Sequence, residues 1–333
     1  MKINIIGCGL SGITSTILLK EQGHDVEIFE TRYHIGGNCY DEKVEDITIH
    51  KYGSHIFHTN DEEVWNFLNR YTSFNDYSHK VRANTSLGLI SIPYNNKTKE
   101  QIGRELSASE IQELIFRQYS ERHWGIKWED LPTSISERVP TKRDNWDERY
   151  FTDKYQGIPS NGYTAMFKNM LDGIKVNIGV SKEEYKKIKC DKMIYTGKPD
   201  EFYNFCFGKL PYRSLRFEHK RVNKDDNFSW EKGAVINECN ELPFNRTMDN
   251  GVYLNESKNY TILTRDYPEE HNETNDPIYP KDFGEGMKIY SQYKKLIQSE
   301  KDVMFLGRLA SYKYLDMWMA IKQVMVKLKE TNL

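Results

Sequence analysis

A short apolar run, Lys2-Ile3-Asn4-Ile5-Ile6, feeds straight into Gly7-Cys8-Gly9-Leu10-Ser11-Gly12, and an apolar, glycine-poor stretch from Ile13 to Lys20 follows. Strand, G-x-G-x-x-G and helix in that order predict an α/β fold that opens on a dinucleotide-binding βαβ unit. Gly7 permits the tight turn. Gly9 removes a side chain, so that backbone N–H groups reach a pyrophosphate. Gly12 lets the helix pack close to the strand. Ser11 stands in the same turn, at a helix N-terminus whose unsatisfied N–H groups and positive dipole end suit phosphate oxygens.

Two further features strengthen this. A second strand-like run, Val26-Glu27-Ile28-Phe29, ends at Glu30, where a ribose hydroxyl needs an acceptor. A second phosphate-type turn follows at Arg32, Gly36, Gly37 and Asn38. Together they favour FAD over NAD. The bland alternative is a glycine turn in some other α/β domain.

The 333 residues exceed one ordinary core and predict two or three interleaved domains. A net charge of −2, with no basic block, argues against nucleic acid as a partner. Five scattered cysteines without a C-x-x-C pair argue against a disulfide framework or a structural zinc site. The sequence starts on a strand rather than a signal peptide, and no apolar run approaches membrane-spanning length. A cytoplasmic protein is expected. The 22 tyrosines suit sugar and base contacts, although half-buried surface positions account for most of them.

Along the chain, residues 49–60 are dense in Gly, His and aromatics. H-x-x-H occurs there, but no carboxylate or cysteine completes a ligand set, so no metal is expected. Asp61 reads as an N-cap for a helix over Glu62 to Tyr71. Residues 81–84 and 87–92 read as paired strands, and Lys97 to Ser120 as one or two helices, ended by Trp124-Gly125. The stretch from Arg138 to Gly162 mixes Arg138, Lys142, Arg143, Arg149 and Lys154 with Trp146, Tyr150, Phe151 and Tyr155, a pattern of a binding surface or of a solvated loop. A strand ending at Thr196-Gly197 returns the chain beside the cofactor, and Gly197 joins the cofactor set. Residues 213–265 alternate as an antiparallel sheet would. A second strand–glycine–helix unit, Val303 to Leu306, Gly307-Arg308 and the stripe Leu315, Trp318, Ile321, Met325 and Leu328, suggests that both ends of the sequence build one cofactor site. The expected division is 1–75, 188–212 and 300–333 for the FAD-binding domain, 95–135 for a small helical insertion, and 76–94, 136–187 and 213–299 for the sheet and substrate side.

Four longer stretches carry a resemblance: His50 to Asn60, Tyr119 to Gly125, Arg149 to Pro159, and Gly307 to Asp316. With the FAD fingerprint they resemble the UDP-galactopyranose mutase family, whose fold pairs a Rossmann-like FAD domain of glutathione-reductase type with an antiparallel sheet domain. The resemblance implies an isomerase that interconverts pyranose and furanose forms of a nucleotide sugar, foremost UDP-galactose, with attack by N5 of reduced FAD on the anomeric carbon. It implies arginines on the departing diphosphate: Arg246, and either Arg143 or Lys142, since this stretch runs one residue longer than the family pattern. It assigns Tyr155, Tyr279 and Tyr314 to the diphosphate, Tyr119 and Trp124 to the nucleotide and sugar, and Asp316 to the sugar. Arg308 and His55 fall beside the flavin.

An external reductant, NAD(P)H or a reductase, is implied, and a homodimer is allowed. Between Asn95 and Tyr119 the chain is shorter than usual family members, so lid closure, dimer contacts and substrate recognition are expected to differ. Related sugars remain open, such as UDP-N-acetylgalactosamine or a dTDP-6-deoxyhexose. So do a flavin oxidoreductase on the same scaffold and a non-catalytic nucleotide-sugar binder.

Overall fold

The computed structural model describes residues 1–136, 141–223 and 233–331. Arg138, counted above among the cations of the middle stretch, lies outside the described residues.

Five parallel strands form the first sheet, in the order Val176–Ile178, Asp25–Glu30, Lys2–Ile6, Lys192–Tyr195 and Val303–Phe305. Ile5 pairs with Ile28 on one side and Ile194 on the other. A parallel sheet is covered on both faces, which is why its central strands read as nearly continuous apolar runs. On one face, helix Leu10–Glu21 packs beside helix Met317–Thr331, and Ile13 and Ile17 share a core with Ile321, Val324 and Leu328. On the other, Ile6 and Phe29 meet Tyr185, Tyr195, Phe202 and Phe305. A Cβ on Gly12 would lie 1.9 Å from the Gly7 carbonyl oxygen, so only glycine lets the first helix sit this close.

A seven-stranded sheet lies beside it, in the order Tyr279–Pro280, Tyr212–Asn223, Tyr260–Glu270, Arg246–Asp249, Val235–Glu238, Val81–Thr85 and Gly88–Ile92. Its pairings are antiparallel except that Val235–Glu238 runs parallel to Val81–Thr85, because the chain reaches Val235 by a long crossover and not by a hairpin. The strand Arg246–Asp249 was not legible in the sequence. It is polar yet half-buried to buried, because its side chains bond inward: Thr247 to Glu238, and Asp249 to Thr261.

The insertion is a helix over Asn96–Ile102 followed by a rod from Ala108 to Trp124, interrupted by a π-helical turn at Gln112–Arg117. Ser107 and Glu110 form a capping box at its start. Gly125, at φ +67°, ends it in the left-handed conformation that favours glycine. Asp61 caps the helix Glu62–Asn69 by accepting from Val64 N–H.

Candidate cofactor and substrate site

A cavity of about 1160 Å³ opens at the carboxyl ends of the parallel strands, under the segment 270–277. Gly7, Gly9, Ser11, Glu30, Arg32, Gly37, Asn38, His55, Gly197 and Arg308 all line it. Gly12 stands behind, at the helix–strand contact. The two glycine turns face each other without side chains, and a Cβ on Gly37 would come within 2.9 Å of Gly9 Cα. That bare cradle fits the pyrophosphate of a dinucleotide.

Glu30 is buried, and its two carboxylate oxygens accept from Cys8 N–H and Arg32 N–H, each at 2.8 Å. The same carboxylate that faces the cavity therefore also fixes the first glycine turn. Arg32 donates to Asn38 and to Asp276, and its guanidinium lies 4.7 Å over the Tyr52 ring. Gly307 and Arg308 reach the cavity from the other end of the sequence; a Cβ on Gly307 would lie 2.9 Å from Ser11 Oγ.

Arg308 joins this cavity to a second cluster. Its guanidinium lies 5.0 Å over the Tyr314 ring and 5.7 Å over Tyr279, while its N–H groups donate to the carbonyls of Leu315 and Ile278. Tyr279 and Tyr314 stack, with centroids 6.0 Å apart. The Tyr279 ring also lies 4.8 Å from His123 and 6.4 Å from Trp124, and His123 stacks at 6.1 Å on Tyr119, one helical turn back. Arg246 is embedded in this group and donates to fully buried Asp266 at 2.5 Å. Burial opposes its charge, but Asp266, then Tyr119 and Tyr279, raise the guanidinium well above its ordinary value. The tight packing of Gly53 brings Arg246 near the histidine loop: a Cβ there would lie 3.8 Å from Arg246 Nη2.

His55 Nδ1 lies 2.7 Å from the Gly53 carbonyl. A carbonyl only accepts, so the proton sits on Nδ1 and Nε2 keeps a lone pair. Burial, then the nearby His50, lower this imidazole to about 3, with Arg308 and Arg246 adding to the effect. It is neutral at any ordinary pH.

The remaining sequence-derived residues lie elsewhere. Tyr155 stacks at 4.9 Å on Trp65 and reaches Glu62 at 3.4 Å, on the flank of helix Glu62–Asn69. Tyr150, in the same loop, packs 5.9 Å from His79, and adds to a rise of the Tyr119 phenol whose largest cause is burial. Arg143 turns to the insertion, donating to Leu106 O at 3.0 Å and Glu105 at 3.3 Å over the Tyr94 ring. Lys142 binds Asp147 and the Arg149 carbonyl. Asp316 follows cavity-lining Leu315 and opens the last helix, its carbonyl accepting from Ala320 N–H. His123 and Asp266 were given no role from the sequence, and Tyr150 was named only among the aromatics of the middle stretch. The i, i+4 spacing of Tyr119 and His123 was the one available signal.

Residues 114–314 match the family model for UDP-galactopyranose mutase, and residues 5–71 match that for an NAD(P)-binding Rossmann-like domain. dTDP-fucopyranose mutase of Escherichia coli is 34% identical, over 97% of this chain and 96% of its own. The chain belongs to the UDP-galactopyranose mutase family. A probable UDP-galactopyranose mutase of Klebsiella pneumoniae is 32% identical, over 97% of this chain and 92% of its own. The crystal structure of a reduced UDP-galactopyranose mutase shares the fold, with a TM-score of 0.78 over 99% of this chain and 93% of that one at 13% identity. As a family member the protein is an isomerase, a flavin-dependent pyranose–furanose mutase acting on a nucleotide sugar. Among the described residues no helix is long and apolar enough to cross a membrane.

Proposed function

We propose that the protein binds FAD and, with the flavin reduced, interconverts UDP-galactopyranose and UDP-galactofuranose. The observation that carries this reading is Arg308, which links the dinucleotide cavity to the cluster of Arg246, Tyr279, Tyr314, Tyr119 and Trp124. Reduced FAD supplies the nucleophile, flavin N5, for the anomeric carbon. The chain supplies the rest. Gly7, Gly9, Ser11, Gly37 and Asn38 cradle the cofactor pyrophosphate, Gly197 lines the chamber where its missing side chain makes way for Tyr195, and Glu30 accepts from the ribose. Neutral His55 offers Nε2 beside the ring without adding a charge.

Arg246, already fixed by Asp266, meets the negative charge that develops on the nucleotide diphosphate as the glycosidic bond breaks, and needs no reorganisation to do so. Tyr279 and Tyr314 donate to the same phosphates. Tyr119 and Trp124 wall the nucleotide and sugar, with Asp316 at the sugar hydroxyls; Tyr155, held on Trp65, and Arg143, held on Glu105 and Leu106, would have to turn from these partners to reach the diphosphate. The working protein takes its electrons from NAD(P)H or a reductase, in a cytoplasmic setting, and a homodimer suits the family.

A second substrate is favoured by a specific finding: the 34% identical relative from E. coli is named for dTDP-fucopyranose. Dithionite-reduced protein incubated with UDP-galactofuranose and with dTDP-fucofuranose tests both. Formation of the corresponding pyranose is expected from one of them and none from oxidised protein. Substrate-driven flavin bleaching with oxygen uptake, and no ring interconversion, would make the protein an oxidoreductase instead.

A further inference from the structure

The helix that carries Tyr119 and Trp124 is tied to the strand that carries Arg246 by one side chain. Arg122 Nε donates to Asn245 Oδ1 at 2.6 Å, Nη1 to the Asn240 carbonyl at 2.8 Å, and Nη2 to the Glu238 carbonyl. Glu238 ends the strand Val235–Glu238, and Asn240 and Asn245 lie in the turn from it into the strand Arg246–Asp249. Asn245, the residue before Arg246, is fully buried; its N–H donates to Asp266 O, and its carbonyl accepts from Glu238 N–H, both at 2.8 Å. The helix end is gripped from the other side as well. Buried Arg213 donates to the carbonyls of His123 at 2.7 Å and of Arg122 at 3.0 Å.

Among the described residues Arg122 pairs with no carboxylate, and its three acceptors are neutral. Burial lowers the pKa of this half-buried guanidinium, and Glu238 and Asp266 offset that only in part from beyond salt-bridge range, so charge pairing is a weak reason to keep it. Its geometry gives a better reason. A planar fork reaches three acceptors at once in fixed directions, which the single ammonium of lysine does not.

We infer that Arg122 is a positioning residue: through Asn245 it sets the guanidinium of Arg246 at a fixed distance from the aromatic wall of Tyr119 and Trp124. The wall and the phosphate-binding cation then form one rigid unit, and a substrate held between them meets both in register. This rests on the proposed mutase reading, in which Arg246 binds the diphosphate.

The test is a double-mutant cycle on the flavin-loaded protein, comparing Arg122→Lys, Arg122→Ala, Asn245→Ala and Arg122→Ala/Asn245→Ala. UDP affinity, kcat and flavin content are read for each. Each single change lowers kcat about 10- to 100-fold, the range a displaced contact group produces, and weakens UDP binding, while flavin content stays at the wild-type level. The double variant is no worse than Arg122→Ala, and added guanidinium ion restores part of the activity of Arg122→Ala.

Wild-type turnover and UDP affinity in Arg122→Lys would overturn the inference. Strictly additive losses in the cycle, or losses that only follow flavin content, would do so too. Wild-type protein that binds UDP but converts no nucleotide sugar defeats the mutase reading instead, and the UDP affinities across the cycle still decide the role of Arg122.

Discussion

Arg246 keeps its charge because Asp266, fully buried, lies against it. Removing the arginine therefore strands a buried carboxylate as well as a phosphate ligand. Arg246→Lys separates the two effects, since it leaves a counter-charge for Asp266 but removes the fork. Both variants should retain the yellow flavin, and both should lose turnover, by about 100-fold or more for a group aimed at developing charge. Near wild-type kcat in Arg246→Lys would remove the fork from the mechanism.

Glu30→Ala tests the opposite end. It takes away a ribose acceptor and also the bonds to Cys8 and Arg32 N–H, so flavin occupancy after gel filtration should drop sharply. Unchanged occupancy would contradict the ribose role.

At this scale the sequence told most about residues held in motifs. Tyr119, Trp124, Tyr279, Tyr314 and Arg308 were assigned through the family resemblance, and they meet in space. Tyr150 and Tyr155 sit five positions apart in one aromatic-rich stretch with no period, so nothing local showed that Tyr155 would stack on Trp65 and Tyr150 pack against His79. Asp266 escaped because a carboxylate on a strand reads as solvent-facing unless its partner is known.

Among the elements, the segment 270–277 holds the least regular structure for the position it occupies. It joins the strands Tyr260–Glu270 and Tyr279–Pro280 and forms one wall of the cofactor cavity. Side chains tie it to the parallel-sheet side: Asp276 to Arg32, His271 to Lys198, and Glu273 to Lys209. Asp276→Ala should speed flavin release about two- to fivefold, the scale of a partly exposed ion pair, while kcat at saturating FAD holds. Release measured by the recovery of flavin fluorescence on dilution checks this, and an unaltered rate would mean that the wall does not gate the cofactor.

Elements with apolar runs or stripes, such as Lys2–Ile6, Leu10–Glu21 and Met317–Thr331, were legible within a few residues. The strand Arg246–Asp249 and the π turn at Gln112–Arg117 were not. The strand is held by distant partners and not by a pattern along the chain, and the π turn lies inside a stretch whose helical spacing does not mark the extra residue.

Over the whole molecule, burial is the largest cause holding His50, His55, His79 and His123 down to about 3. In the unfolded chain each titrates near 6.5. Between those values the unfolded chain binds more protons than the folded one. The stability these residues confer is thus complete above about pH 6.5 and is lost progressively as pH falls toward 3. The urea midpoint of the flavin-loaded protein should be flat from about pH 7 to 8 and fall steeply below about pH 6. A midpoint at pH 5 equal to that at pH 7.5 would show that these imidazoles are not buried in the neutral form.

The parallel sheet begins with residues Lys2–Ile6 at its middle and is completed by Val303–Phe305 at its edge, with Gly307 and Arg308 closing the flavin end of the cavity. During synthesis, then, the glycine loop at Gly7 waits for the residues up to Gly307 to emerge before it meets its counterpart. A ribosome-bound chain stopped before Val303 would carry the fingerprint for the cofactor and yet have no closed chamber to keep it. Flavin capture is in this sense a check that both sides of the sheet have been made.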